Sequence, residues 1–149
     1  METLYTQSEL DLARLAAYID GEGTISLDGS ERTRRCSDRL KITIVNTDLR
    51  LLVWCKDKFG GYIRISNKAT KKRRALYLWG IQDASAGELL EKCLPFFVIK
   101  REQAELGIAF RKTFSPSNRD PRGLADSVKT DRKELRRKIV EMRASKVLA

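Results

Sequence analysis

Glu22 is the acid whose position most clearly invites a chemical interpretation. It lies near the end of residues 15–23, LAAYIDGEG, where two glycines close a predicted helix. An acid at the C-terminal end of a helix opposes the helix macrodipole and needs a reason to be there, although a solvated acid is the alternative. Because the sequence contains no histidine, mechanisms with a histidine base, nucleophile or metal ligand are excluded. The chemistry left to this position is that of a carboxylate.

The helix that positions Glu22 has a clear start and two distinct faces. Thr6 and Glu9 form a capping-box pattern that predicts its first turn. Its apolar face consists of Leu12, Leu15, Ala16 and Ile19. A second face consists of small residues, Ala13, Ala17 and Gly21, at a spacing of four. Such a stripe allows another element to approach closely, and the partner is either the protein's own sheet or another helix.

The rest of the chain alternates between strand and helix patterns. Period-two alternation predicts strands at residues 24–28, 39–47, 62–67 and 73–81. Caps and helical spacing predict helices at about 49–59 (after Thr47 or Asp48), 85–93 (from Ser85), 99–113 and 124–145. The order is therefore α-β-β-α-β-β-α with additional C-terminal helices, an α+β fold. We expect a sheet with an apolar inner face that includes Leu76 and Leu78, and a polar outer face that includes Tyr77.

The positive charge is concentrated in blocks. The net charge is +10, residues 61–82 hold six bases and no acid, and residues 129–146 hold eight bases and three acids. Blocks of one sign favour a polyanionic partner, of which nucleic acid is the commonest, over a merely solvated basic face. The outer face of a two-stranded ribbon can enter the major groove of DNA and present such side chains to base edges.

Length and composition exclude several classes of protein. A chain of 149 residues is long enough for one domain with a sizeable core, and it has no run of 18 apolar residues that would span a membrane. The first ten residues, METLYTQSEL, lack an apolar signal core. Cys36, Cys55 and Cys93 fit neither a disulfide framework nor a zinc site. We therefore expect an intracellular, reducing location (cytoplasm, nucleoid or organelle matrix) and no membrane partner.

Residues 15–23 resemble the LAGLIDADG motif of a family of homing endonucleases. Five of the nine positions are identical, namely Leu15, Ala16, Ile19, Asp20 and Gly23, and Glu22 keeps a carboxylate where the motif has its second acid. The helix–strand order over about residues 8–113 also matches the family. The resemblance implies a single endonuclease domain over residues 1–149, with a basic helical extension at about 124–146 and a concave antiparallel sheet that binds DNA.

The resemblance further implies a homodimer. A single motif is present, so the motif helix is expected to pack on its symmetry mate through Ala13, Ala17, Asp20 and Gly21, which places two Glu22 carboxylates side by side. Adjacent carboxylates repel each other, and a divalent cation between them relieves the repulsion. Oxygen ligands without histidine favour Mg²⁺, held by Glu22 and the carbonyl of Gly21, with Mn²⁺ or Ca²⁺ able to substitute in binding.

Two further positions match family sites by their placement. Asp48 is expected to touch the metal or its water, with a helix cap as its alternative role. Lys100 is expected near the scissile phosphate, with a surface lysine as its alternative. The candidate DNA contacts, on the outer strand faces and their loops, are Ser26, Asp28, Arg32, Arg34, Arg35, Arg39, Lys41, Thr43, Arg64, Ser66, Lys68, Arg73 and Tyr77. The C-terminal basic helix either grips flanking DNA backbone or is solvated.

The expected function is hydrolysis of double-stranded DNA at a long, pseudo-palindromic site by a Mg²⁺-dependent homodimer, the activity used in intron homing. The alternatives on the same fold are a DNA-binding regulator that does not cleave and an RNA-binding maturase. A structural RNA-binding protein of the ribosomal type explains the charge but not the small-residue face that leads to Glu22.

Overall fold

The centre of the fold is a four-stranded antiparallel sheet. Its strands are β1 (Gly23–Asp28), β2 (Arg39–Asn46), β3 (Tyr62–Asn67) and β4 (Leu76–Gln82), in the spatial order β1-β2-β4-β3. A computed structural model describes residues 4–29, 38–114, 119–120 and 123–145. Because β4 lies between β2 and β3, the two hairpins form one continuous surface.

Five α-helices are present in the described residues, and they confirm the expected α+β fold. They are α1 (Gln7–Glu22), α2 (Leu49–Phe59), α3 (Asp83–Cys93), α4 (Arg101–Lys112) and α5 (Asp126–Ser145). A short 3-10 helix, Leu94–Phe96, precedes α4, and the two-residue strands β5 (Arg119–Asp120) and β6 (Gly123–Leu124) form a small hairpin. The order from α1 to α3 is αββαββα, as predicted. Across these described segments, no helix combines the length and apolar character needed to cross a membrane.

Helix α1 begins as the capping box predicts. Thr6 Oγ1 accepts a hydrogen bond from Glu9 N at 3.2 Å, and Thr6 N donates to Glu9 Oε2 at 2.7 Å. These bonds satisfy backbone donors that the first helical turn leaves unpaired. Leu15, Ala16 and Ile19 are fully buried, so this face fixes the helix on the core. The C-terminal end of α1, which carries Glu22, is therefore held in a defined position.

The inner face of the sheet is apolar across all four strands. The strand register places Ile25 opposite Ile42, and Ile44 opposite Trp79, which in turn lies opposite Ile63. Cross-strand partners share a face of the sheet, so these side chains form one layer. The helices cover this apolar layer, and the opposite face of the sheet carries the polar residues.

The faces of β4 are the reverse of our expectation. Tyr77 lies opposite Asn46 and Ile65, on the same face as the fully buried Trp79, and packs partly against the core. Leu78 lies on the outer face. Both alternating sets of side chains in β4 are largely apolar, so the sequence pattern does not show which set faces the core. The aromatic side chains of Tyr77 and Trp79 face the helices, and Trp79 Nε1 donates a hydrogen bond to the carbonyl of Gly60 at 2.8 Å.

Helix α3 begins three residues earlier than the Ser85 cap predicts. It starts at Asp83, directly after β4, and its N-cap residue Gln82 makes no side-chain capping bond. Asp83 has a φ of 55°, a left-handed conformation that Asp adopts more readily than most residues. The sharp change of direction is made by this residue, and Ser85 lies inside the helix.

The C-terminal helix α5 is part of the core. The sequence predicted instead that this helix either grips flanking DNA backbone or is solvated. Ile139 is 1% exposed and belongs to the main apolar cluster. Arg132, 2% exposed, pairs with Asp38 at 3.1 Å, and its guanidinium lies 3.7 Å from the Phe114 ring centroid. Arg143 donates to the carbonyl of Ile25 in the edge strand β1. Several bases of this helix therefore serve the fold.

Candidate active site and nucleic-acid interface

Glu22 is exposed at the last residue of α1, and Asn46 holds its side chain. Asn46 Nδ2 donates a 2.8 Å hydrogen bond to Glu22 Oε2. Asn46 is the last residue of β2, so this bond joins the end of the motif helix to the end of a central strand. Asn46 is not among the residues predicted for the site, because a polar residue at a strand end usually signals only a turn. Its place three residues before the start of α2 is the signal that was available.

Asp20 organises the turn before α4. Its carboxylate accepts hydrogen bonds from the backbone N–H groups of Val98 at 2.8 Å, Ile99 at 3.2 Å and Lys100 at 2.8 Å. Three consecutive donors on one carboxylate fix the path of the backbone there. These bonds give Asp20 a structural role at the helix end, whereas its place in a dimer interface stays a prediction.

Lys100 lies at the same end of α1 as Glu22. Its Nζ donates to the carbonyl oxygens of Ile19 at 2.8 Å and Asp20 at 2.7 Å. A cation is favourable here, because the final carbonyl groups of a helix carry partial negative charge. The side chain is therefore half-buried and held by the end of α1. Its role, at a phosphate or as a surface lysine, stays a prediction.

Asp48 caps α2, as its alternative role predicted. Its side chain accepts from Arg50 N at 3.0 Å and pairs with the Arg50 guanidinium at 2.6 Å. Hydrogen bonds from Arg50 lower the pKa of Asp48 to about 2, so it is ionised at neutral pH. Asp48 N donates to Asn46 Oδ1 at 2.8 Å. A continuous series of hydrogen bonds thus links Glu22, Asn46, Asp48 and Arg50.

The small-residue face of α1 is open. Ala17 and Gly21 are exposed, and a Cβ added at Gly21 meets nothing within 4 Å. The face that packs on the protein's own core is instead formed by Leu15, Ala16 and Ile19. Of the two interpretations of the stripe, packing on its own sheet is therefore wrong. The face is free to receive another helix.

One chain supplies only part of a metal site. Among the described residues, no group of three or more His, Cys, Asp or Glu side chains is placed to hold a metal ion. Glu22 and the carbonyl of Gly21 are hard oxygen donors of the kind that Mg²⁺ prefers. This donor set fits the implied ion if a second copy contributes the same atoms.

Six of the predicted DNA-contact residues share the outer face of the sheet. The register places Ser26 opposite Lys41, Thr43 opposite Gly80, and Arg64 opposite Leu78, all away from the helices. The six residues are Ser26, Asp28, Arg39, Lys41, Thr43 and Arg64. This surface, which we call the outer face, is the candidate nucleic-acid interface.

The other predicted contacts are placed differently. Ser66 is exposed next to an irregularity in the pairing of β3, and Lys68 and Arg73 are exposed in the β3–β4 connection. Tyr77 lies on the inner face, so the geometry on which its predicted contact rested is wrong. Arg32, Arg34 and Arg35 lie outside the described residues.

Solved structures of homing endonucleases have the same fold. I-CvuI bound to the I-CreI DNA target matches with a TM-score of 0.73 and 25% identity, over 91% of this chain and 83% of that one. The archaeal intron-encoded I-Vdi141I, complexed with DNA, matches with a TM-score of 0.74 and 12% identity, over 91% and 86% of the two chains. I-SmaMI bound to uncleaved DNA matches with a TM-score of 0.63 and 19% identity, over 93% and 49%. The sequence matches no family model, and no curated protein matches it.

The fold is thus that of the DNA-binding homing endonucleases. The LAGLIDADG-like segment, residues 15–23, occupies the end of α1 and leads into β1. The resemblance to the LAGLIDADG homing endonucleases, drawn from the motif and the element order, is confirmed by these structural matches.

Proposed function

We propose that this chain is a site-specific endonuclease that cuts double-stranded DNA as a Mg²⁺-dependent homodimer, at a long pseudo-palindromic target. The observation that carries the proposal is the exposed carboxylate of Glu22 at the end of an open small-residue face on α1. Two copies related by a two-fold axis through that face bring two such carboxylates together.

Side chains of this protein have defined tasks in the proposed reaction. Asn46 holds the Glu22 carboxylate in one orientation through its 2.8 Å bond. Lys100, fixed on the carbonyls of Ile19 and Asp20, presents positive charge where a phosphate approaches the end of α1. The outer face orients the duplex. Glu22 and the carbonyl of Gly21 from each copy would hold a Mg²⁺, which would supply an acidified water and offset developing negative charge.

Glu22→Gln tests the proposal. The substitution keeps the size of the side chain and its hydrogen bond to Asn46, but it removes the charge that binds the cation. With Mg²⁺ and a library of duplex targets, the unaltered protein is expected to cut, and Glu22→Gln to bind the same targets without cutting. A wild-type protein that binds specific duplexes but cuts none would overturn the nuclease proposal in favour of a regulator. Selective binding of RNA over duplex DNA would favour a maturase.

The proposed compartment is intracellular and reducing. Cys55 and Cys93 are both buried free thiols. Such thiols persist where glutathione or thioredoxin keep cysteines reduced.

A further inference from the structure

The outer face contains an acid among its bases. Asp28, in β1, forms an ion pair with Lys41 in β2, with Nζ and Oδ2 2.6 Å apart. The register places Lys41 opposite Ser26 and Asp28 opposite Arg39, so the pair is diagonal across the two strands. Their side chains are 47% exposed for Asp28 and 31% for Lys41, which leaves both accessible from the side that faces DNA.

The other end of the sheet has a different electrostatic character. Residues 61–82 hold six bases and no acid, and five of those bases lie exposed in the β3–β4 connection at residues 68–74. Charges of this kind bind phosphates and add affinity without sequence preference. A carboxylate on the same surface is repelled by phosphates, so Asp28 lowers affinity for DNA in general. Its contribution must then be one that depends on sequence.

The ion pair matches the major-groove edge of one base pair. Guanine presents the acceptors O6 and N7 there, and cytosine presents the N4 donor. Guanine O6 and cytosine N4 are hydrogen-bonded to each other, so they lie about 2.9 Å apart. The 2.6 Å spacing of Lys41 Nζ and Asp28 Oδ2 is close to that separation. A donor and an acceptor are therefore set side by side, in the arrangement that a G·C pair complements.

We propose that Asp28 and Lys41 act together to read one G·C base pair in each half of the target, with Lys41 donating to guanine and Asp28 accepting from cytosine N4. This inference rests on the proposed sequence-specific binding of DNA. The ion pair holds both side chains near the required geometry before DNA binds, which reduces the cost of ordering them. An A·T pair in the same orientation exchanges the positions of donor and acceptor, and a T·A pair keeps their order but offers Lys41 only O4, without the second acceptor that guanine has in N7.

Selection from a randomised duplex library, in Ca²⁺ so that binding is measured without cutting, tests the pair. Wild type, Asp28→Ala, Lys41→Ala and the double variant are compared, with Lys71→Ala as the matched control in the basic connection. Each single variant is expected to lose about 5-fold or more of the preference for G·C at the same base pair in each half-site. The double variant is expected to lose little more than either single variant, because the two residues act as one unit.

The control separates base reading from phosphate binding. Lys71→Ala is expected to weaken all sequences alike and to lower the slope of log K against log salt by about 1, with the selected sequence unchanged. Asp28→Ala is expected to strengthen binding to unselected DNA. The inference is wrong if the single variants alter different base pairs, or if they leave the selected sequence unchanged. Failure of the wild type to enrich any sequence would instead overturn the proposed function itself. Thermal unfolding of each variant checks that the fold is intact.

Discussion

Asn46 and Glu22 are joined by a hydrogen bond of 2.8 Å from Nδ2 to Oε2. The amide of Asn46 has a defined orientation, because its Oδ1 accepts from Asp48 N at 2.8 Å and its NH₂ group therefore points to the acid. The orientation of the candidate catalytic carboxylate thus depends on the end of β2, the strand that places Arg39, Lys41 and Thr43 on the outer face. Asn46 therefore connects the strand that carries part of the outer face with the candidate catalytic carboxylate.

Asn46→Ala is expected to reduce cleavage and to leave binding unchanged. Loss of the amide frees the Glu22 side chain to adopt other rotamers, and loss of a group that orients a metal ligand typically costs about 10- to 100-fold in metal affinity or activity. Single-turnover cleavage and the Mg²⁺ concentration required for half-maximal rate measure the effect. DNA affinity in Ca²⁺ is expected to be unchanged, since Asn46 contributes no charge. Thr47→Ala, at the exposed neighbouring position, is the control, and equal effects of the two substitutions would contradict the role of Asn46.

Arg50→Met is expected to raise the pKa of Asp48 from about 2 toward its ordinary value. The low pKa has its largest cause in hydrogen bonds from the Arg50 side chain. A carboxyl whose pKa is depressed in the folded state stabilises the fold above its unfolded pKa of 3.8, and that stabilisation is lost as pH falls toward 2. The variant should therefore show a weaker loss of stability over this acid range. An NMR titration of the Asp48 carboxyl carbon measures the pKa, and an unchanged value would show that Arg50 is not the cause.

Local sequence rules predicted the part of the site that lies on α1. The capping box at Thr6 and Glu9, the apolar face and the terminal glycines each act within a few residues, so they identify the helix and the place of Glu22. The family resemblance led to the expectation of Lys100 near the scissile phosphate, but its bonds to the end of α1 join positions about 80 residues apart and were not predicted.

Features that depend on long-range packing were not predictable in the same way. Both phases of β4 are apolar, so only packing against the helices decides that Tyr77 and Trp79 face inward. The Arg132–Asp38 pair joins residues 94 apart, and the composition of α5 suggests only a basic, exposed helix. Asn46 is an ordinary residue for a strand end until the fold brings Glu22 next to it.

Asp38→Ala is expected to destabilise the protein by about 3–5 kcal/mol, because it leaves buried positive charge without its carboxylate. Asp38 accepts from Arg132 at 3.1 Å and from Arg136 at 2.6 Å, and the Arg132 side chain is 2% exposed. The free energy of unfolding in urea measures the loss. Glu134→Ala is the control on the exposed side of α5, where the acid pairs with Arg137, and its effect should be within the error of the measurement. Similar losses from the two substitutions would contradict the structural importance of the buried pair.

Cys55 and Cys93 are expected to resist alkylation in the folded protein. Both are buried, and burial raises the pKa of each thiol to about 12, so the reactive thiolate is scarce at neutral pH. A thiol pKa that is higher in the folded state favours folding below the unfolded value of 9.0, and this contribution is lost as pH rises toward 12. Mass spectrometry of each cysteine after treatment with iodoacetamide, with and without urea, measures the protection. Rapid modification of either residue without urea would contradict the burial.

Ala17→Arg is expected to convert a dimer into a folded monomer. Ala17 is exposed on the face of α1 that carries Gly21, so the longer side chain fits the single chain but prevents close approach of a second helix. A monomer contacts only one half-site, so its affinity for a palindromic duplex should be lower than that of the dimer. The positive charge of the added Arg should not compensate for this loss. Light scattering after size-exclusion chromatography measures the mass of the particle.

The matched control is Ala144→Arg, which adds the same side chain at an exposed position near the end of α5. It should leave the oligomeric state unchanged, while both variants keep the unfolding temperature of the wild type. This comparison distinguishes loss of the interface from loss of the fold, because added charge and size are equal in the two proteins. Dimers of Ala17→Arg, or a wild type that stays monomeric even on a palindromic duplex, would place the second carboxylate elsewhere and remove the geometry on which the proposed metal site depends.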